Sequence, residues 1–181
     1  IEIENMDMKK DIFKIKEILN VSPQETAIAP NLTVKENLEF MAGVYQISNK
    51  EKKIDELIKQ FKLEEILNKR TKTLSGGWQR RLSIAISLIN NPKILFLDEP
   101  TLGLDVIARK ELWKVINELK GKITIILTTH YMEEAESLSD RIGIMANGKL
   151  VDVGTSEDLI KKTKTNNFED AFVSIATGGE L

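Results

Sequence analysis

The chain contains no cysteine, a single histidine and four prolines, and only 6% of its residues are aromatic. Without cysteine, disulfides, thiolate zinc sites and a cysteine nucleophile are excluded, which agrees with a cytoplasmic setting. There is no excess of either charge. Twenty-six basic residues face 28 acidic ones for a formal net charge of −2, and the two signs are mixed along the chain. That leaves neither a basic footprint for nucleic acid nor a polybasic arm for anionic lipid, so no nucleic-acid partner is expected. Long hydrophobic runs are missing too. The longest, Ile94–Leu97 and Ile123–Leu127, fall far short of the roughly 20 apolar residues that cross a bilayer. No signal peptide is visible. The chain opens Ile1-Glu2-Ile3 rather than with methionine, and reads as one entered in mid-strand, an N-terminally truncated sequence.

What is present is the ordinary material of a globular domain. With 181 residues, 41% hydrophobic and 30% charged, the chain can build one domain with a sizeable core, with or without an inserted subdomain. Ile18-Leu19-Asn20-Val21 is a brief apolar run closed by Ser22-Pro23, and Pro23 and Pro30 bracket a loop, since proline lacks a donor and biases its predecessor to extended geometry. From Thr33 the period becomes helical. Thr33 with Glu36 three residues on is a capping box, followed by Leu38, Met41, Ala42 and Tyr45 at helical spacing. Ile54, Leu57, Ile58 and Phe61 line one face of the next segment, and Leu63–Leu67 reads as a short helical turn. Residues of about 31 to 91 are therefore expected to be all-helical, inserted between two strand-bearing stretches.

After Pro92, strand and helix alternate. Lys93–Leu97, Ile123–Thr128, Arg141–Met145 and Leu150–Val153 read as strands, Val106–Leu119 and Met132–Leu138 as helices. Such alternation predicts a parallel sheet, and the unbroken apolar runs predict strands covered on both faces. Asn147-Gly148 predicts a hairpin turn. The tail from Lys161 is polar and closes with Phe168, Ala171 and Phe172 at helical spacing.

Five short segments carry candidate chemistry. The apolar run Ile94–Leu97 ends abruptly in two adjacent carboxylates, Asp98 and Glu99. At the carboxyl end of a strand in an open α/β sheet they face the ligand crevice, placed to hold Mg²⁺ and polarise a water; taken alone, Asp-Glu-Pro also reads as the start of a solvated turn. Leu74-Ser75-Gly76-Gly77 opens a helix expected over Trp78–Ile89. Its free N–H groups and two positions without Cβ suit an anion, or serve merely as a capped turn. His130 follows the strand Ile123–Thr128 and is placed to bond a phosphate or an attacking water. Thr101-Leu102-Gly103-Leu104-Asp105 offers a tight loop and, in Asp105, a cap for the next helix. Gln24 lies in the loop after Val21-Ser22-Pro23 and by itself carries no signal.

In this order the segments closely resemble the ABC ATPase family, over residues of about 1 to 160. Leu74–Gly77 resembles the signature motif, Ile94–Glu99 the Walker B strand, Leu102–Asp105 the D-loop, His130 the switch histidine and Gln24 the glutamine of the Q-loop. The resemblance implies a P-loop NTPase-like α/β fold, a mostly parallel sheet flanked by helices with an inserted all-helical subdomain. It divides the chain into a RecA-like core at 1–30 and 92–160, a helical subdomain at 31–91 carrying the signature motif, and a tail helix at 161–181. It implies that Asp98 orients Mg²⁺, that Glu99 polarises the attacking water, and that His130 contacts the γ-phosphate of ATP. Gln24 would sense Mg²⁺ and the attached permease, and Asp105 would belong to the nucleotide site. Ser75, Gly76 and Gly77 would touch the γ-phosphate of ATP held by a second ATPase subunit, in a head-to-tail dimer with two ATP molecules between the subunits. The helices over Asn37–Tyr45 and Ile54–Phe61 would receive the permease's coupling helix. Such a protein sits peripherally on the cytoplasmic face of the membrane and couples ATP hydrolysis to transport. Asn167–Phe172 resembles the tail of the ATPases of ABC-2-type exporters, a group handling drugs, sodium or antibiotics, which points to export. The alternative is a soluble ABC ATPase without a permease, of the ABC-F translation-factor or DNA-repair type. Those usually carry a tandem cassette or a coiled-coil insertion, and neither occurs in these residues.

Two departures qualify the match. Trp78 stands where the signature motif usually has glutamine. And no G-x-x-x-x-G-K-S/T occurs; Gly121-Lys122 and Gly148-Lys149 are followed by Ile and Leu. That loop supplies the N–H cradle and the lysine for the β- and γ-phosphates, so the 181 residues alone are expected neither to hold ATP tightly nor to hydrolyse it. The strand that leads into the loop lies inside the sheet in this family, so the sheet is expected to be incomplete and to pair with or swap into a second chain.

Overall fold

A computed structural model describes residues 1–178. The chain divides into two compact units, Ile1–Thr128 and Thr129–Leu181. In the first, β1 (Glu2–Ile3) and β2 (Met6–Asp7) form a small antiparallel hairpin. Then come α1 (Ile12–Ile18), β3 (Leu19–Ser22), α2 (Val34–Val44), α3 (Lys50–Phe61), 3₁₀ turns at Glu64–Ile66 and Thr71–Thr73, α4 (Gly76–Ser87), β4 (Ile94–Asp98), α5 (Val106–Leu119) and β5 (Thr124–Thr128).

The period change at Thr33 marks a real helix start. The Thr33 hydroxyl accepts from the Glu36 N–H at 3.2 Å, and the Glu36 carboxylate accepts from the Thr33 N–H at 2.7 Å, which satisfies two donors that helix geometry leaves orphaned. On α3, Ile54, Leu57, Ile58 and Phe61 are all buried. α2, α3 and α4 pack on one another, and α4 also packs on β3 and α5. Among the described residues the stretch from 34 to 87 forms no strand; an isolated bridge, Thr33 with Arg70, closes its base. The compact units divide the chain at Thr128 rather than at the borders of this stretch, and we propose residues 31–91 as a helical subdomain on the strength of that mutual packing.

The sheet has the order β3-β4-β5 and is parallel throughout, with Ser22 beside Leu97 and Asp98 beside Thr128. Parallel neighbours need long crossovers, and the helices α2 to α4 supply one while α5 supplies the other. Side chains in register share a face. Ser22, Leu95 and Leu97 are buried, and Ser22 meets Ser83 of α4 hydroxyl to hydroxyl at 3.2 Å. The other face carries Val21 and Ile126, which remain 47% and 46% exposed. The expectation of strands covered on both faces is therefore corrected. An unbroken apolar run reports hydrophobicity, not coverage, and here one face is packed more fully than the other. Two helices also differ from expectation. Ile18–Val21 is not one element, since α1 ends at Ile18 and β3 begins at Leu19; α1 is short and buries only Ile15, so it leaves little periodic signal. And α4 starts at Gly76 rather than Trp78, and ends at Ser87.

The second unit contains α6 (Met132–Leu138), β6 (Ile142–Ala146), β7 (Lys149–Gly154), α7 (Ser156–Thr163) and α8 (Phe168–Ala176). β6 and β7 are antiparallel, and Asn147 and Gly148 between them have φ of 50° and 73°, the left-handed pair that a two-residue hairpin requires. Ala135, Ile142, Ile144, Leu159 and Phe168 form its core. α7 was not expected. Thr155 caps it by accepting from the Asp158 N–H at 3.1 Å, and only Leu159 of its residues is buried. The tail segment expected at 161–181 thus holds the end of α7 and all of α8, and its last three residues lie outside those described.

Two measurements check this packing. Leu95→Ala is expected to cost about 2–5 kcal/mol in denaturant unfolding, whereas Ile126→Thr stays within about 0.5 kcal/mol, as an exposed substitution does. The bond from the Thr33 backbone, then that from its hydroxyl, holds the Glu36 carboxyl below its ordinary value of 4.5. A carboxylate depressed in the folded state stabilises it above the unfolded pKa and loses that effect as pH falls through the folded one. The cap on α2 should therefore weaken only below the ordinary glutamate range, and Thr33→Val should return the Glu36 titration, followed by NMR, towards 4.5.

Candidate active site

β4 ends in Asp98, whose carboxylate is exposed, and the chain leaves the strand through Glu99. Glu99 has φ of 46°, a left-handed backbone that a residue other than glycine, and one followed by proline, adopts only under constraint. The constraint comes from β5. The Glu99 N–H donates to the Thr128 carbonyl at 3.1 Å and lies 3.3 Å from the Thr128 hydroxyl. That same hydroxyl donates to the Asp98 carboxylate at 2.6 Å. Thr128 thus fixes the first carboxylate by its side chain and the second residue by its backbone. On the other side, the Glu99 carbonyl accepts from the Leu102 N–H at 3.2 Å and lies 3.5 Å from the Arg80 guanidinium. Pro100 and Thr101 behind this turn are buried.

Asp105 is occupied as a helix cap, its carboxylate accepting from the N–H groups of Ile107 and Ala108 at 2.9 Å each. Gln24 has an exposed side chain, but its loop is held firmly. Arg80 donates to the carbonyls of Pro23 and Gln24 at 2.6 and 2.5 Å. Further along, Asn37, itself buried, accepts from the Ala29 N–H at 2.8 Å and donates to the Ala29 and Thr33 carbonyls, while the Thr71 hydroxyl donates to the Ala29 carbonyl at 2.7 Å.

Ser75 is the N-cap of α4, yet its hydroxyl makes no capping bond to the helix. Gly76 and Gly77 follow, and the fold treats them differently. A Cβ on Gly77 would come within 3.2 Å of Ala108 on α5, so close packing explains that glycine. A Cβ on Gly76 would meet nothing within 4 Å, and its φ is not in the left-handed region. Among the described residues, no contact requires glycine at 76. Trp78 carries the Arg81 guanidinium 4.8 Å from its ring centroid, a cation–π stack within α4, and Arg81 in turn pairs with Glu111 of α5, the contact that ties the two helices. His130 follows β5 by two residues, belongs to the second unit, is exposed, and stands 4.2 Å from the Tyr131 ring.

The structure therefore brings together Asp98 and Glu99, and joins the Glu99 turn, through Arg80, to the Gln24 loop and to α4. Four contributors were not singled out in the sequence: Thr128, Arg80, Asn37 and Thr71. Thr128 was legible in principle as the residue that parallel register sets beside Asp98; Arg80 and Asn37 show no pattern, because what they bind is main chain. A cavity of about 1070 Å³ lies elsewhere, at the amino ends of β4 and β5, lined by Lys53, Lys59, Lys93 and Lys122 among others. Burial lowers the Lys53 pKa and its ammonium donates to Asn91. Of these, Lys59 lies in the last turn of α3 and Lys122 three residues beyond α5, where cations complement the helix dipoles, and the cavity is at the opposite end of the strands from Asp98 and Thr128.

Comparison with known proteins decides the family. The ABC transporter family profile matches residues 1–102. The chain belongs to the ABC transporter ATP-binding family. It is 40% identical over 162 residues to the phospholipid-transporting ATPase ABCA3 of Homo sapiens, covering 88% of this chain and 10% of that protein. It is 38% identical over 178 residues to the probable multidrug ABC transporter ATP-binding protein YbhF of Escherichia coli, covering 94% of this chain and 31% of that one. The chain thus spans a third or less of the length of these relatives. Among solved structures, an ATP-binding subunit of an ABC transporter superposes with a TM-score of 0.82 at 26% identity, over 96% of this chain and 75% of that one. A dimeric ATP-binding cassette in a post-hydrolysis state with ADP and Pi superposes with a TM-score of 0.73 at 26% identity, over 85% and 72%. The ABC ATPase fold, a P-loop NTPase-like α/β architecture, is accordingly that of this chain.

The two glycines should respond oppositely to substitution. Gly76→Ala should raise the chain's unfolding free energy by about 0.4–1 kcal/mol, read by denaturant titration, while Gly77→Ala should lower it, because Ala108 must move.

Proposed function

We propose that this chain is the ATP-binding and ATP-hydrolysing part of an ABC transporter, coupling hydrolysis to transport, in the direction of export, through a separate membrane permease. The observation that carries the reading is the turn at the end of β4, where Glu99 is held at φ of 46° between Thr128 and Arg80 with Asp98 beside it. A general base has to be aimed as well as basic, and a strained turn bonded on both sides is a rigid mount for one.

In this reading Glu99 accepts the proton of the water that attacks the γ-phosphate. Asp98 is the protein ligand for Mg²⁺, helped by Gln24. Among the described residues no cluster of three or more acidic or imidazole groups gathers, and an exposed carboxylate with one or two neighbours is the donor set that suits a Mg²⁺ shared with phosphates and waters. Once bound, Mg²⁺ would neutralise charge on the β- and γ-phosphates. His130 contacts the γ-phosphate. Ser75, Gly76 and Gly77 meet the γ-phosphate of ATP held by a second ATPase subunit, and Asp105 belongs to that interface. Two features favour this: the Ser75 hydroxyl leaves its own helix uncapped, and Gly76 has no steric reason within the chain, as expected where a ligand approaches the backbone closely. The dimeric cassette solved with ADP and Pi is consistent with paired subunits. Among the described residues no helix is long and apolar enough to cross a membrane, so the permease would be contributed by other sequence, with this chain peripheral on the cytoplasmic face. The relatives' names mention a phospholipid in one case and multiple drugs in another; in this reading cargo is chosen in the membrane part.

The test is Glu99→Gln in the native protein, which keeps size and hydrogen bonding but removes the charge. Steady-state ATP hydrolysis should fall by roughly 10²–10⁴-fold, the usual contribution of a positioned base, with ATP affinity preserved. Hydrolysis within twofold of the wild type would remove Glu99 from this role. In the same protein Gly76→Ala should impair hydrolysis even though it stabilises the fold.

A further inference from the structure

Arg80 is buried, 4% exposed, on the second turn of α4, five residues beyond Ser75. Its guanidinium donates to the main-chain carbonyls of Pro23 and Gln24 at 2.6 and 2.5 Å and lies 3.5 Å from the Glu99 carbonyl. These carbonyls belong to two segments far apart in sequence, the loop after β3 and the turn after β4. The planar guanidinium fork presents several donors in fixed directions, so one side chain can hold both segments at a set separation. Its own position is fixed by α4, which Ser75 opens as N-cap ahead of Gly76 and Gly77 and which is braced on α5 through the Arg81–Glu111 ion pair.

We propose that Arg80 is a positioning residue that ties Gln24 and Glu99 to the signature helix, so that any displacement of α4 is passed to both. When α4 is in place, the Gln24 loop and the left-handed turn at Glu99 are in register. When α4 shifts, both lose a donor at once and Glu99 is free to relax towards the extended backbone that a residue before proline prefers. A ligand that engages Ser75–Gly77 thereby sets the aim of the carboxylate on the same chain. This rests on the reading of Glu99 as the base, but the link itself is independent of that reading.

The experiment uses the native protein with two variants. Arg80→Met keeps the apolar stem and removes every donor. Arg80→Lys keeps the charge but not the fork. Both should lower kcat for ATP about tenfold or more while leaving the KM for ATP within about twofold, since neither touches the nucleotide. Amide hydrogen exchange, which needs no turnover, should accelerate severalfold at Glu99 and Leu102 and in the loop from Gln24 to Ala29, and stay unchanged in the interior of α5. Arg80→Lys serves as the check if Arg80→Met folds poorly. Unchanged exchange at both segments in a folded variant overturns the proposal, as does acceleration spread evenly over the chain. Accelerated local exchange with wild-type kcat supports the link and instead overturns the assignment of the base to Glu99.

Discussion

The carboxyl end of the sheet depends on how the chain leaves β4. Two acidic side chains in succession on a strand would point to opposite faces, which would leave Asp98 and Glu99 unable to serve one site. In the proposed site this is avoided, since Glu99 at φ of 46° leaves the strand's period. A strained residue of this kind costs about 1–3 kcal/mol, and the surroundings hold it there: Thr128 accepts its N–H, while Leu102 and Arg80 donate to its carbonyl. Parallel pairing of β4 with β5 is the precondition, because only that register sets Thr128 beside Asp98. The crossover through α5, capped by Asp105, is what delivers β5 to the place.

A second constraint separates packing from function at the start of α4. A Cβ at Gly77 would crowd Ala108 of α5, whereas among the described residues nothing lies within 4 Å of one at Gly76. A glycine retained in the first turn of a helix without a local reason gives up a little stability. In an anion site the same position lets a phosphate reach the N–H groups that the helix leaves free. The resemblance of Leu74–Gly77 to the signature motif and the geometry meet here, because contacts within the fold account for Gly77 and not for Gly76.

Much of this was legible in the residues. The capping box at Thr33 and Glu36, the apolar face of α3, the strand expected at Lys93–Leu97 and found at Ile94–Asp98, the helix Val106–Leu119 and the Asn147-Gly148 turn each follow from local patterns, and each forms. The ordered motifs pointed to the family from short segments that individually mean little. Other features left no pattern. α1 and α7 bury one residue each, too few for a period. The half-exposure of Val21 and Ile126 depends on what covers that face, which a run of apolar letters does not encode. Arg80, Asn37 and Thr71 act by bonding to main-chain carbonyls, and any sequence offers those equally. Such supports become visible only when the chain is folded.

The account's central claim is that the left-handed turn at Glu99 aims its carboxylate at the phosphate being hydrolysed. The most direct test is a crystal structure of the native protein trapped with Mg²⁺, ADP and vanadate, which mimics the phosphoryl group in transit. The account predicts that the Glu99 carboxylate lies within hydrogen-bond reach of the oxygen occupying the attacking position, with φ of Glu99 still positive and the Arg80 bonds intact. A vanadate bound away from the end of β4, or a Glu99 relaxed to an extended backbone in the trapped state, would contradict it.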